Sequence, residues 1–552
     1  MNQGGFMKGP SSLRRVLAVL VVAMLFTVAA CSSDDNGDAG GGSNGTGSSG
    51  TAASPSDPDA ILNAGFDLAQ STGAIPLNPL LNQAGGGPQD PLYYLIYGRL
   101  LRPMTDGSLE PDLAESVDVV NPTTIQINLR DGLTFSDGSA FDATAVKAYY
   151  DAVISGKDTE TTPGVTLEEA YQPPFFSLTT VTVVNPTTLT LSIPDGTAAS
   201  WFDQFIATWA ASIVKVPVAD SNKPIGAGPF SVTAFSPGQS VTLAKNDSYW
   251  RADDVKYAGM NIQQVAFSQP SSGLAAVKSG QLDMVYTDAT QIDSASGNVE
   301  VFAQTSPNKG VWLHMCKDDG GPLSDVRVRV AINKAFDRDA ISEAVYGGTA
   351  SPSVQMWPND HRLANPDLND FLAYDPEGAK KLLAEAGYAN GLAMDMYPIQ
   401  VFGLPDVAQI AQQQLADVGI TLTIVPTSDY VNQYLQNPAP DAIGMYPANA
   451  AGTAKLTAYT GSGLGNVCKY DDPELTALID ELRTVSESSD EAQELWHEAA
   501  DTIVPEALGG FILFRSDLML YNTERLGDPQ ALGGDGDFKL PDPFVTYVKS
   551  GS

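Results

Sequence analysis

A phrase that occurs twice sets the strongest limit on what this chain can fold into: "VDVVNPTTIQINLRDG" at 117–132 returns as "VTVVNPTTLTLSIPDG" at 181–196. In each copy Asn-Pro separates two alternating runs. Proline presets the turn, and Ile125, Ile127 and Leu129, or Leu189, Leu191 and Ile193, fall on one face. Each copy therefore reads as a β-hairpin, and since two copies are too few for a solenoid, both are expected in one sheet of a subdomain. Between them, residues 142–156 carry Asp142 as N-cap, apolar Ala145, Val146, Tyr149 and Val153 at helical spacing, and Gly156 as a stop. The stretches 374–388 and 406–420 repeat that build, each with a closing glycine, and "TLTIVP" follows the second as a strand. Short strands alternating with amphipathic helices predict an α/β chain in more than one packed layer.

The N-terminus sets the compartment. Lys8, Arg14 and Arg15 precede an apolar run from Val16 to Ala30 that is too short for an ordinary spanning helix and ends in "VAAC". Residues 1–30 thus read as an export signal, with general secretion favoured over the twin-arginine route that the Arg14-Arg15 pair could suggest. The small Ala29 and Ala30 before Cys31 resemble the lipobox of bacterial lipoproteins, in which the cysteine becomes the lipidated first residue. More than one acyl chain holds such a protein firmly on a bilayer. Residues 31–58 continue as a Gly/Ser/Asp-rich leash with too little apolar surface to fold. The remaining cysteines, Cys316 and Cys468, can pair in an oxidising exterior, or stand as two separate buried thiols.

With 552 residues the chain exceeds the roughly 250–300 residues of a single core, so at least two folded units are expected. Thirty basic against 65 acidic residues, a net charge of -35, argue against nucleic acid as a partner. Catalytic sets are not found. The histidines at 314, 361 and 497 are scattered, and "HEAAD" at 497–501 lacks the second histidine of a zinc motif. "GGSNG" at 41–45 lies in the leash, away from any strand-to-helix turn, and "GSGLG" at 461–465 lacks the lysine of a phosphate loop. No cofactor and no metal set is expected. The cluster Asp325, Arg327, Arg329, Asp337, Arg338 and Asp339 reads as a capped helix, with Ser324 or Asp325 as cap, Asp325 one turn before Arg329, and an apolar stripe at Val328, Ala331, Ile332 and Ala335.

Several phrases together resemble the extracytoplasmic solute-binding proteins of family 5, the oligopeptide, dipeptide and nickel type of ABC importers. They are "IYGRLLRPMTDGSLEPDLAESVDV" at 96–119, "LRDGLTFSDGSAFDATAVKAYYDAV" at 129–153, "PIGAGPFSVTAFSPGQSVTLAKNDSYW" at 224–250, "VKSGQLDMV" at 277–285, and "YDDPELTALIDEL" at 470–482. The resemblance implies a two-lobed, periplasmic-binding-protein-like α/β fold (type II, peptide-binding branch) with an extra subdomain at about 96–205. Lobe one would hold 59–300 plus 509–552 and lobe two 305–508, with the chain passing between them near 310–316 and 509–514. It further implies a monomer, not an enzyme, that closes on a peptide or other small solute and delivers it to permease subunits. The setting would be the outer face of the cell membrane, or the periplasm, with a lipid anchor at Cys31. A lipid-anchored hydrolase on the same fold is the alternative.

For the cleft, aromatic and polar residues in loops are the candidates: Tyr93, Tyr94, Asp288, Met356, Trp357, Tyr446 and Asn449. Peptide-binding relatives commonly carry an aspartate-rich phrase after the second lobe-two strand, whose acid captures the peptide ammonium. Here "DAIGMYPANAAGT" at 441–453 has no acid from Met445 to Thr453. Charge-assisted anchoring of an amine is thereby weakened, and oligosaccharides, modified peptides and metal chelates stay open as ligands.

Overall fold

The computed structural model describes residues 56–68, 75–81, 90–104, 109–155, 178–193, 196–205, 211–266, 269–317, 320–427, 430–436, 438–449, 452–459, 466–470, 472–532 and 540–550. The export signal, Cys31, the leash up to residue 55 and the glycine-rich loop at 461–465 lie outside the described residues.

An 11-stranded sheet carries most of the molecule. Its order is Ile420–Ile424, Leu392–Pro398, Ala442–Asn449, Val299–His314, Gly509–Asn522, Met284–Thr287, Ile61–Phe66, Gly259–Gln264, Ser240–Lys245 and Phe230–Ser236, with Ser351–Pro352 paired to Gly509–Asn522. Each end has a parallel centre: Ile61–Phe66 lies between two parallel neighbours at one end, and Leu392–Pro398 at the other. Parallel strands need crossover helices that cover their faces, so these centres are buried. Two long antiparallel strands, Val299–His314 and Gly509–Asn522, join the ends. They take part in both: Met519 packs in the core around Leu62, Ile262 and Met284, whereas Val311, Leu313 and Ile512 pack around Ile332, Val407 and Ile443. The molecule is thus two lobes on one continuous sheet.

In the second lobe, strand alternation sorts side chains to two cores. Val311, Leu313 and Met315 face the helices Val326–Lys334 and Leu404–Asp417. Trp312 and Cys316 face a second core built on Trp357, Trp496 and Phe514. There Cys316 and Cys468 form a disulfide with Cα atoms 4.8 Å apart, closing a sequence separation of 152.

The two hairpins form a separate four-stranded sheet in the order Ala114–Asn121, Thr124–Leu129, Thr188–Ser192, Thr180–Asn185. Their inner strands meet with Ile125 opposite Leu191 and Ile127 opposite Leu189, all four buried in the lobe-one core. The helix Ala143–Ser155 begins where Asp142 accepts from the N–H groups of Thr144 and Ala145, both at 2.9 Å.

The charged helix Val326–Lys334 is capped by Asp325, while Ser324 belongs to the preceding turn. Asp325 pairs most closely with Arg327, at 2.5 Å, and the charge of Arg329 acts on it more weakly. Arg329 turns inward instead, donating to the Leu323 and Glu506 carbonyls at 2.7 and 2.6 Å. Arg338 is also buried, reaching the carbonyls of Phe511 at 2.8 Å and Leu372 at 3.1 Å, and burial pulls its pKa down to about 9. The inward arginines staple these helices to the segments at 506–511.

Candidate functional site

The two long strands change partners in the middle of the molecule. Thr305 lies opposite Ser516 and Gly310 opposite Phe514, so Ser306–Lys309 together face Arg515 alone. Such a bulge bends a strand and removes ladder hydrogen bonds, and Pro307 has no N–H to contribute. The two long strands are therefore bent at this passage, a few residues from 310–316 and 509–514. The buried pair Lys309–Asp517 ties its two strands, and the Lys309 backbone also pairs with Asn449 of the neighbouring strand.

Two further contacts join the lobes beside this passage. The turn Ala289–Gln291 of lobe one approaches helix Arg338–Tyr346 of lobe two, with Ile292 against the left-handed Gly347. The segment Gly452–Tyr459, which follows strand Ala442–Asn449, approaches helix Ala198–Phe205 of lobe one. From this segment Lys455, 1% exposed, donates to the Pro307 carbonyl at 2.6 Å. Its ammonium lies 4.3 Å from the ring centroid of Trp357, 5.5 Å from Phe514 and 5.9 Å from Trp312. An aromatic face attracts a cation through its quadrupole, most strongly when water is excluded.

A row of rings continues from this point along the same face of the sheet. Trp312 meets Tyr446 edge-on, and His314 stacks on Tyr446 at 4.0 Å and on Tyr434 at 6.1 Å. Tyr430 and Tyr397 close the row against Tyr434. Tyr434 and Tyr430 fit because Gly444 lies beneath them, where any Cβ would collide with both. Burial pulls the pKa of His314 down to about 3, so its ring is neutral, and burial raises the phenols of Tyr430 and Tyr446. His361, stacked on Trp357 at 4.4 Å, is pulled down to about 4, first by burial and then by the charges of Lys455 and Arg362.

The structure brings some of the expected residues together and separates others. Trp357 and Tyr446 lie in this row, and Asn449 ends the strand that leads from it. Met356 is buried next to Trp357 in the same core. Asp288 is elsewhere on the lobe boundary, where its carboxylate caps the docking turn by accepting from Thr290 N–H at 2.9 Å. Tyr93 and Tyr94 are placed in the interior of lobe one. Every residue of their helix Asp90–Tyr97 is buried, and Tyr93 donates to the Pro76 carbonyl at 2.7 Å. Lys455, Trp312, His314, Tyr430 and Tyr434 were not among the cleft candidates read from the sequence, where His314 figured only as one of three scattered histidines. Two signals point to them: Lys455 is the first charge after the acid-free phrase, and Tyr430 and Tyr434 stand four residues apart, on one helical face.

Among the described residues, no group of three or more His, Cys, Asp or Glu is placed to hold a metal ion. No described helix is long and apolar enough to cross a membrane.

Comparison with known proteins gives a consistent result. The sequence profile of bacterial extracellular solute-binding proteins, family 5 (middle region), matches residues 108–459. The glutathione-binding protein GsiB of Escherichia coli K12 is 26% identical over 319 residues, which cover 56% of this chain and 59% of GsiB, under two thirds of its length. Heme-binding protein A of Haemophilus influenzae is 26% identical over 434 residues, 72% of this chain and 78% of that protein. Among solved structures, NikA from Brucella suis in complex with Fe(III)-EDTA aligns with a TM-score of 0.72 at 19% identity, covering 88% of this chain and 100% of NikA. The ABC transporter substrate-binding protein CtaP from Listeria monocytogenes aligns with a TM-score of 0.69 at 18% identity, covering 90% and 100%.

Proposed function

The chain belongs to the bacterial extracellular solute-binding proteins of family 5, and on that premise we propose that it is the substrate-binding component of an ABC importer. It captures a small solute between its lobes and hands it to permease subunits as a monomer. Lobe one comprises about 59–305 with 516–552, including the subdomain at 96–205, and lobe two the residues between. The observation that carries this reading is the bulged passage at Ser306–Lys309 flanked by the aromatic row, because a closing protein needs a bendable connection next to a recognition surface. A solute favours the closed form only through contacts that both lobes offer together. Trp357, Tyr446 and Asn449 are the earlier candidates best placed for this role, with Lys455, Trp312 and His314 beside them.

Relatives are named for glutathione and heme binding, and one structural neighbour holds Fe(III)-EDTA. Ligands this different leave the solute to be identified directly. Mass spectrometry of material released from the purified protein, followed by small-angle scattering with that solute, is the test. The expected result is an intact molecule that lowers the radius of gyration on saturation. An unchanged radius rejects closure, and a converted molecule favours the hydrolase alternative.

The proposal includes retention at the outer face of the membrane by lipid on Cys31, supported by the apolar run that ends in "VAAC". Cys31→Ser should shift the protein from membrane to soluble fraction and remove the acyl mass. Equal membrane retention by the variant contradicts the anchor.

A further inference from the structure

The passage between the lobes gathers groups that can only donate hydrogen bonds. An ammonium and an indole N–H have no acceptor capacity. Lys455 is 1% exposed, and Trp312 and Trp357 are 2% and 3% exposed. The Nε1 atoms of both tryptophans are buried and pair with no acceptor among the described residues. A buried unpaired donor costs about 1–3 kcal/mol, so two such donors on the rings that surround one buried ammonium need a reason. Their placement supplies one. The Trp312 nitrogen sits against the backbone of Gly310, where a Cβ would collide with it, and Gly310 is the first paired residue after the bulge. Lys455 reaches the same bulge through Pro307. The phrase from Met445 to Thr453 offers no carboxylate. His361, stacked on Trp357, has its pKa lowered first by burial and then by the charges of Lys455 and Arg362.

Resting on the solute-binding reading above, we infer that this corner of the lobe boundary is an oxyanion subsite, in which Lys455 and the indole N–H groups of Trp312 and Trp357 receive a carboxylate or phosphate group of the transported solute. Charge-assisted hydrogen bonds from an ammonium are about twice as strong as neutral ones, and two oriented N–H donors add direction. The solute class is then anionic, with its charged group directed to the passage and its apolar part along Tyr446 and His314. The ammonium already held over aromatic faces is fixed in place before the solute arrives, which lowers the ordering cost of binding. The segment that carries this lysine approaches helix Ala198–Phe205 of lobe one, so a group bound to it lies beside the boundary.

The test uses the full mature protein, labelled with nitrogen-15. Its six tryptophans give six indole N–H signals, assigned by single Trp→Phe variants. Inorganic phosphate, acetate and, as a neutral control, acetamide are titrated separately into the tens of millimolar. Phosphate or acetate should move the Trp312 and Trp357 signals downfield, leave Trp250 unmoved because it already donates to Asp112 at 2.8 Å, and lose this effect in Lys455→Met. Acetamide should do nothing. Static Trp312 and Trp357 signals with both anions, or an unchanged response in Lys455→Met, overturn the subsite. Once the native solute is identified, Lys455→Met should weaken it at least about tenfold and Trp312→Phe about fivefold, the second serving if the first variant folds poorly. A neutral or cationic solute bound with closure overturns the subsite and leaves the transport reading standing. Absence of any bound solute and of closure overturns the transport reading itself.

Discussion

His314 is held between the rings of Tyr446 and Tyr434, and burial pulls its pKa to about 3, whereas a histidine in an unfolded chain titrates near 6.5. Between these two values the unfolded chain binds a proton that the folded one refuses. The contribution of His314 is therefore complete above about pH 6.5 and is lost progressively as pH falls toward 3. Asp112 acts in the opposite sense: burial raises its pKa, so the folded chain holds the extra proton above the usual carboxylate range. Comparing His314→Phe with wild type cancels that term. Urea midpoints from pH 7 to pH 4 should fall less steeply in the variant, by an amount worth a few kcal/mol at the acid end; parallel curves refute this. The arginines give a second contrast. Arg338→Met leaves the Phe511 and Leu372 carbonyls without a donor in the interior and should cost about 3 kcal/mol, while Arg327→Met, on the surface, should leave the unfolding midpoint nearly unchanged. The sequence reads this whole cluster as a capped helix but does not tell which arginine turns inward. Spacing along a helix ranks partners by proximity, and Arg329 is claimed by carbonyls at 323 and 506, the latter 177 residues away.

Among the elements, those whose pattern repeats over several residues are legible in the sequence. The hairpins, the helix after Asp142 and the helices Pro376–Glu385 and Leu404–Asp417 follow from alternation, capping and closing glycines. The segment Val431–Leu435, a wide helical turn that holds Tyr434 over Gly444, is not, because its conformation depends on the strand beneath it. Gly444→Ala tests that dependence: it should displace Tyr430 and Tyr434, expose His314, and raise the histidine's pKa toward its ordinary value, as read by proton NMR. An unmoved pKa would mean the turn keeps its place without the glycine. The bond between Cys316 and Cys468 clamps the end of a long strand to the loop before helix Pro473–Leu482. For a loop of this length, the chain-entropy estimate is about 5 kcal/mol, an upper figure where the unfolded chain keeps structure. A Cys316→Ala/Cys468→Ala variant should melt at lower temperature than wild type and be insensitive to reductant; a wild type equally insensitive would contradict the clamp.

At the scale of the whole molecule, the resemblance to family 5 is enough to predict two lobes, but not the break in register between the long strands. A register break appears only when both strands are in view, and residues 306–309 and 515 carry no local mark of it beyond Pro307. The same limit applies to the site. Trp357 looks like a cleft aromatic in sequence, yet it also packs against Trp496 at 5.1 Å in the lobe-two core. Trp357→Ala should thus cost about 3–5 kcal/mol of stability as well as affinity, so Trp357→Phe is the informative substitution.

The strand Gly509–Asn522 lies in the middle of the sheet, between Val299–His314 and Met284–Thr287, although it comes almost last in the chain. During synthesis and export, the first lobe therefore waits: Met284–Thr287 lacks its inner neighbour, and the core around Leu532, Leu540 and Phe544 stays open, until nearly every residue has emerged. The second lobe needs only the chain up to Phe514. Its assembly should come first and the earlier-made lobe should be finished last. A chain cut after Phe514 should keep hydrogen-exchange protection in helices Val326–Lys334 and Leu404–Asp417 and lose it in Ile61–Phe66 and Met284–Thr287. Loss of protection in both sets together would mean that the two lobes form as one cooperative unit.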